Sequence, residues 1–504
     1  MKFKKLSSLF LVMTIASSTI LTGCSSKGQD SAVDSANDSK GTTELIWYMI
    51  GTPQPDQDKV MEEVNKYTAE KIGVTLDLRM VDWGDYGQKM QVITSSGEPF
   101  DICFASDYAL NAQKGAYLEL SDLLESNGKE LKETINPLFL EGATINGNLY
   151  GIPANKEVGQ QLGWAYNKRM AEEAGVLEDM ENAKTLEDLE PILEKVKAKF
   201  PNLKMPMAAG SGFFPYMPYD YLLGENLPFG IALEGDTTKI VNIYEQEDVK
   251  NTLNTLRRFY QKGYIHSQAA TDTDPHEMSV ENWFVRKEQY APGAVEMWSS
   301  NAKYDVGYTP SHDPLTINNS VTGSVMSISA ASKNPEKAME FLNLLNTDEY
   351  LRNLIDRGIE DVHYTTNEDK TITKTEDAQK YSMPSWALGN VFLTKNYDTD
   401  PTDRIEQYEE FNSQAVASPT LGFYADTTNI STEIATISNI VQEFKAPLFT
   451  GSVDTDKYLG QLNDKLKAAG IDKVMAELQS QYDKWMAAVS YTHLRAHETR
   501  GNLV

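Results

Sequence analysis

Residues 74–105 read VTLDLRMVDWGDYGQKMQVITSSGEPFDICFA. Val74, Leu76 and Leu78 alternate with polar neighbours up to Val81, the period of a strand with one buried face. Tyr86 to Ser95 reads as a helix, and Phe100 to Ala105 is a short apolar run that reads as a second strand. Upstream, Glu44–Ile50 (ELIWYMI) is a further buried strand. Asp56 can cap a helix whose apolar face holds Val60, Val64 and Tyr67 and which Gly73 stops. The order is therefore β-α-β-α-β. Such alternation predicts an α/β layer with a mostly parallel sheet, its ligand crevice lying beyond the carboxyl ends of the strands. The loops at those ends are Gly51–Asp56, Asp82–Asp85 and Ser106–Tyr108.

Working outward, Trp164–Tyr166 runs into Asn167, which can cap a helix through Ala174. Thr185 and Asp188 have the spacing of a capping box ahead of Leu189, Leu193 and Val196, and Pro191 predicts a kink or a later start. Gly323–Ser329 reads as a strand of small residues. It leads to a helix with Asn334 as cap, Pro335 at its first position and Ala338, Phe341, Leu342 and Leu345 facing inward. Asp348–Asp356 is a shorter helix that ends at Gly358. The last third is helical, with one stripe at Ile430, Ile434, Ile437, Val441 and Phe444, and another at Ile471, Val474, Leu478, Tyr482 and Trp485.

The amino terminus carries a different message. Lys2, Lys4 and Lys5 precede a broken apolar stretch, Leu6–Leu21, too short and polar to span a membrane stably. Leu-Thr-Gly before Cys24 resembles the lipobox of bacterial lipoproteins, which implies that the thiol receives lipid and becomes the first residue after cleavage. Residues 25–42 have almost nothing apolar to bury and read as a disordered tether spanning about 20–25 Å. Cys103 is the one other cysteine, which excludes a disulfide framework and a thiolate zinc site.

The formal charge is −27. The leader and the last fourteen residues are both net positive, so the body is more acidic still. No Lys/Arg cluster with interleaved aromatics is present, which argues against nucleic-acid binding. After Ala488 the apolar pattern stops, and residues 489–504 are read as a non-native tail.

Four stretches together resemble one family: residues 85–104 (DYGQKMQVITSSGEPFDICF), 149–176 (LYGIPANKEVGQQLGWAYNKRMAEEAGV), 327–345 (SISAASKNPEKAMEFLNLL) and the closing helices. RGIEDVHY (357–364) and LGFYADTTNI (421–430) add to them. The resemblance is to the extracellular solute-binding proteins of bacterial ABC importers, in the carbohydrate-type lipoprotein branch with an extra helical C-terminal region. It implies a two-lobed periplasmic-binding-protein-like α/β fold with hinge crossings. Lobe one would take residues 43–150 plus 307–365 and lobe two 151–306 plus 366–488, with crossings near 151–155 and 305–310. It further implies a monomer held to the outer leaflet only through Cys24, which captures an oligosaccharide and delivers it to ABC permease subunits. A peptide or other polar solute is the alternative ligand, and a surface enzyme or adhesin a more distant one.

Sugars offer hydroxyls for charge-assisted hydrogen bonds and flat C–H faces for aromatic rings. Residues of those types in cleft-facing loops are Trp83 and Asp85, Asp107 and Tyr108, Lys156 and Glu157, Phe213 and Tyr216, Trp298, Arg357 and Glu360, and Trp386. For each, the plainer reading is an aromatic in the core or a charge in a solvated ion pair. HExxH, the P-loop, the dinucleotide glycine loop and GxSxG are all missing, so no catalytic residue is assigned. No cofactor is expected. Asp272 with Asp274, or Asp398, Asp400 and Asp403, supply oxygen ligands for a structural calcium, but without the glycine and terminal glutamate of an EF-hand they read as turns.

Overall fold

A computed structural model describes the backbone of residues 41–501 and the side chains of 41–489. The leader, Cys24 and the tether up to residue 40 lie outside the described residues.

Two sheets organise the body. In the first, the strands run in the order Val74–Val81, Thr43–Ile50, Ile102–Phe104, Val325–Ile328, Ile152–Pro153. The first three are parallel, as the β-α-β-α-β pattern predicts. The last two pair antiparallel, because that part of the sheet is built by chain leaving for the second sheet and returning from it. The second sheet has the order Val306–Pro310, Gln161–Asn167, Trp283–Tyr290, Met205–Ala208, and only its last pair is parallel. The expectation of a mostly parallel sheet therefore holds for one half of the first sheet alone.

Each sheet has its own apolar core. Trp47, Ile102, Phe139, Phe341 and Leu342 belong to the first. Trp164, Phe229, Phe284 and the C-terminal helices Ser431–Phe449 and Thr455–Ala468 build the second. Successive residues of a strand point to opposite faces, so Trp164 and Tyr166 enter that core while Ala165 joins Met205, Trp283 and Trp298 on the other face. Tyr381, Met383, Ala387 and Leu388 pack in the first core, although residues 366–488 were expected in the second lobe.

The chain passes between the two sheets at residues 154–160 and 311–324, a few residues beyond the expected crossings, because Ile152–Pro153 and Val306–Pro310 are sheet strands themselves. The two passages touch where Gln160 and Leu315 exchange backbone hydrogen bonds of 2.8 and 2.9 Å. Leu315–Thr316 also pairs with Val416–Ala417, a third passage. Gly163 lies beside this junction, and a Cβ there would come within 2.2 Å of the Thr309 carbonyl oxygen and 2.7 Å of the Tyr308 ring.

Local signals were obeyed unevenly. The Thr185/Asp188 capping box forms, and the helix Leu186–Lys199 runs through Pro191 without the expected delay. Asn167 caps through Met170 N, whereas Asn334 and Asp56 make no side-chain cap. The final helix is continuous from Ile471 to Gly501, past the expected end at Ala488, since no proline or glycine interrupts residues 489–500. No helix of the described residues is long and apolar enough to cross a membrane.

Candidate functional site

At the carboxyl ends of the first sheet's parallel strands stands an exposed aromatic platform. Trp83 follows Val74–Val81 and is 47 % exposed; Trp386, from a distant loop, is 41 % exposed. Their rings stack at 6.0 Å and 27°, and Phe104, at the end of its own strand, meets Trp386 edge-on at 6.0 Å. Two stacked indoles left in water at the strand ends form an apolar surface that a ligand can cover.

The loop that carries Trp386 is held from beneath. Arg352 and Asp356, one turn apart in the helix Glu349–Arg357, form a fully buried ion pair of 2.9 Å. Arg352 Nη2 donates to the Ser385 carbonyl oxygen at 2.8 Å, and Ser385 Oγ donates to Asp356 Oδ2 at 2.7 Å. Ser324 Oγ donates to the Trp386 carbonyl oxygen at 2.8 Å. Neither Arg352 nor Asp356 stood out in the sequence, because charged residues on a helix are expected to face solvent. Their signal was the i,i+4 spacing within LRNLID, a turn with apolar residues all round.

From this loop, contacts lead along the crossing to the second body. Ala154 N donates to the Ser324 carbonyl oxygen, and Val391 N to that of Asn155. Lys156 and Glu157 follow, largely buried and paired at 2.8 Å. Asn412 brackets them: its Nδ2 donates to the Lys156 carbonyl oxygen, and its Oδ1 accepts from Val158 N. Burial, with the Glu157 charge as a second cause, pushes the Tyr408 phenol up to about 12. Phe411 packs on Tyr290, Tyr290 stacks on Tyr308 at 5.0 Å, and Tyr308 meets Trp298. Trp298 itself is buried, so Tyr290 and Tyr308, missed in the sequence, are the partly exposed rings of that cluster.

A cavity of about 830 Å³ lies beside the same crossings and takes walls from both bodies. Asp107, Tyr108 and Gln113 line it on one side, and Phe214, Tyr216 and Asp220 on the other. Asp107 is exposed, with a left-handed φ of 46°. Tyr108 is spoken for: its hydroxyl donates to the Ala143 carbonyl oxygen at 2.6 Å and accepts from Tyr150 N at 3.1 Å. Burial raises its pKa above the ordinary phenol value. Tyr216 stacks on His312 at 4.6 Å. His312 Nδ1 faces the Asp313 carbonyl oxygen at 2.6 Å and Nε2 accepts from Leu162 N at 3.1 Å, while burial pushes its pKa down.

The remaining candidates stand apart. Phe213 borders a smaller cavity, and Asp85 is exposed at a helix start. Arg357 lies over Tyr397 at 4.4 Å, and Glu360 accepts from Thr366 Oγ1, so both are engaged in packing their own loops. The aspartates considered for calcium act in turns: Asp274 N donates to Asp272 Oδ1 at 3.0 Å, and Tyr397 N to Asp400 Oδ2 at 2.9 Å. Asp398 accepts from Thr373 Oγ1 and Asp403 from Gln407 Nε2.

Residues 62–380 match the family model for bacterial extracellular solute-binding proteins, and residues 419–487 match a domain of unknown function. A carbohydrate ABC transporter substrate-binding protein of Streptococcus pneumoniae is 37 % identical over 96 % of this chain and 98 % of its own length. The crystal structure of the N-glycan transport solute-binding protein of S. pneumoniae matches with TM-score 0.80 and 37 % identity, covering 88 % of this chain and 99 % of that one. The same protein in complex with Man5GlcNAc matches over the same shares with TM-score 0.66 and 36 % identity.

Proposed function

Because this chain belongs to the bacterial extracellular solute-binding proteins, we propose that it captures an oligosaccharide between its two bodies and hands it to ABC permease subunits. The observation that carries the reading is the exposed Trp83–Trp386 stack, whose flat apolar face suits the C–H face of a pyranose. We place further sugar units in the cavity beside the crossings, which takes walls from both bodies and has Asp107 and Tyr216 in its lining.

The ligand class we favour is a neutral mannose and N-acetylglucosamine glycan. The relative at 37 % identity is described as an N-glycan transporter component, and a formal charge of −27 disfavours polyanionic sugars. A binder built from two bodies joined by crossing segments answers its ligand by hinge closure. Contact with both bodies is what gives a ligand the differential affinity to drive such closure.

The work is binding without a chemical step. The protein acts as a monomer and needs no cofactor, and Cys24 carries the lipid that holds it to the outer leaflet. Two acyl chains anchor stably where one is marginal. Thermal-shift and calorimetric titration against Man5GlcNAc, galacturonate oligomers and a peptide panel test this directly. Stabilisation by the mannose-containing glycan alone supports the reading, and stabilisation by peptides alone overturns it.

A further inference from the structure

We propose that His266, Asp272 and His276 form a binding site for a divalent transition metal of the zinc class. The site lies in the second body, between the helix Glu247–Gln261 and the strand Trp283–Tyr290, and is independent of the glycan reading. Asp272 Oδ2 is 3.0 Å from His266 Nε2 and 3.1 Å from His276 Nε2, and the three ligating atoms all fall within 4.8 Å of one another.

These are not satisfied hydrogen bonds. Both Nε2 atoms are buried and lack any partner of acceptable geometry, and the His276 side chain is only 6 % exposed. A buried ring nitrogen left without a partner is costly, and a metal ion between the three groups removes that cost. Asp272 Oδ1 already accepts from Asp274 N, so Oδ2 is the oxygen turned to the imidazoles. Asp274 Oδ1 accepts from His276 N at 2.9 Å and so fixes the backbone of that ligand, while it stays 3.9 Å from the Nδ1 of the ring.

The donor set selects the ion. Two imidazoles and one carboxylate suit zinc and its transition-metal neighbours, whereas calcium takes oxygen ligands almost throughout. Asp272 and His276 also line a cavity of about 410 Å³, bounded further by Gly210, Asp274, Arg286 and Lys287, with room for water. Arg286 Nη1 donates to the His276 carbonyl oxygen at 2.7 Å, so an ion here staples residues 266–276 to the second sheet.

The test uses the whole chain with any histidine tag removed, stripped with chelator and titrated with Zn²⁺, Co²⁺ and Ca²⁺. The expected result is one equivalent of Zn²⁺, a melting temperature raised by a few degrees, intense visible absorption of four-coordinate Co²⁺, and no response to Ca²⁺. His276→Gln, Asp272→Asn and His266→Gln should each weaken Zn²⁺ binding by about tenfold or more. Absence of stoichiometric uptake, or uptake unchanged in all three variants, overturns the proposal. Should a variant fail to fold, X-ray absorption of the wild-type zinc adduct still decides: a first shell without two imidazoles overturns it, and one with two imidazoles and carboxylate oxygen upholds it.

Discussion

Replacing Trp386 by alanine isolates the platform from the fold that carries it. The ring is 41 % exposed, and a tryptophan has roughly 250 Å² to bury, so about 100 Å² of its surface awaits a ligand. At about 25 cal/mol per Å², complete covering contributes about 2.5 kcal/mol, and covering one face contributes about half of that. Trp386→Ala should therefore weaken glycan binding by about 8- to 70-fold. The rest of the loop is fixed by Arg352, Asp356 and Ser324 through backbone and hydroxyl groups that the substitution leaves in place. Stability should move little. Isothermal titration with a mannose-containing glycan, beside a thermal melt, separates the two quantities. An affinity within about twofold of wild type, in both Trp386→Ala and Trp83→Ala, refutes the argument, because a platform that contributes so little is not where sugar lies.

Other consequences follow from the same contacts. Asp356→Ala strands the buried Arg352 charge and should cost about 3–5 kcal/mol in a denaturant titration, while Arg352→Met combined with Asp356→Leu should recover most of it; a single-variant cost below about 1 kcal/mol contradicts the pairing. Gly163→Ala presses on the Thr309 carbonyl oxygen beside the crossings and should lower stability by about 1–3 kcal/mol in the same titration. The folded pKa of His312 is depressed below 6.5, so the unfolded chain takes up its proton first: its contribution to stability is complete above pH 6.5 and declines as pH falls below it. His312→Gln should flatten the loss of melting temperature between about pH 7 and 5. Cys24→Ser should move the expressed protein from the membrane fraction to the medium, as read by fractionation and immunoblot.

What the sequence disclosed, and what it withheld, divides along the range of the interactions. The strands at 43–50, 74–81 and 102–104 were legible because period and turn residues act over a few positions. The antiparallel half of the first sheet was not, since nothing near Val325 says that its partners are Phe104 and Pro153. The candidate residues sort in the same way. Trp83 and Trp386 were named separately as cleft aromatics, yet their stacking across 303 positions is a fact of the fold. Tyr108 has the right chemistry in the right loop, but tertiary contacts consume its hydroxyl. Arg357 and Glu360 had a motif to recommend them, and a ring and a threonine claimed them first.

The position of the tryptophan pair relative to the chain's route also bears on how capture couples to closure. Trp386 belongs to a loop whose flanking residues Met383, Ala387 and Leu388 pack in the first core, so the platform moves with the first body as one unit. Tyr290 lies in a strand of the second sheet, and Phe411 and Asn412 join it to the crossing at Lys156–Val158. A glycan resting on the tryptophans alone would bind both arrangements of the bodies equally and shift nothing. Only a ligand long enough to reach from the platform to groups of the second body, such as Tyr290 or Tyr216, favours the closed arrangement. A short sugar should therefore bind the platform weakly without compacting the protein, whereas a branched or extended one should reduce its radius in solution scattering. Equal compaction by monosaccharide and oligosaccharide would mean that closure is driven from one body, contrary to the division of contacts found between the two.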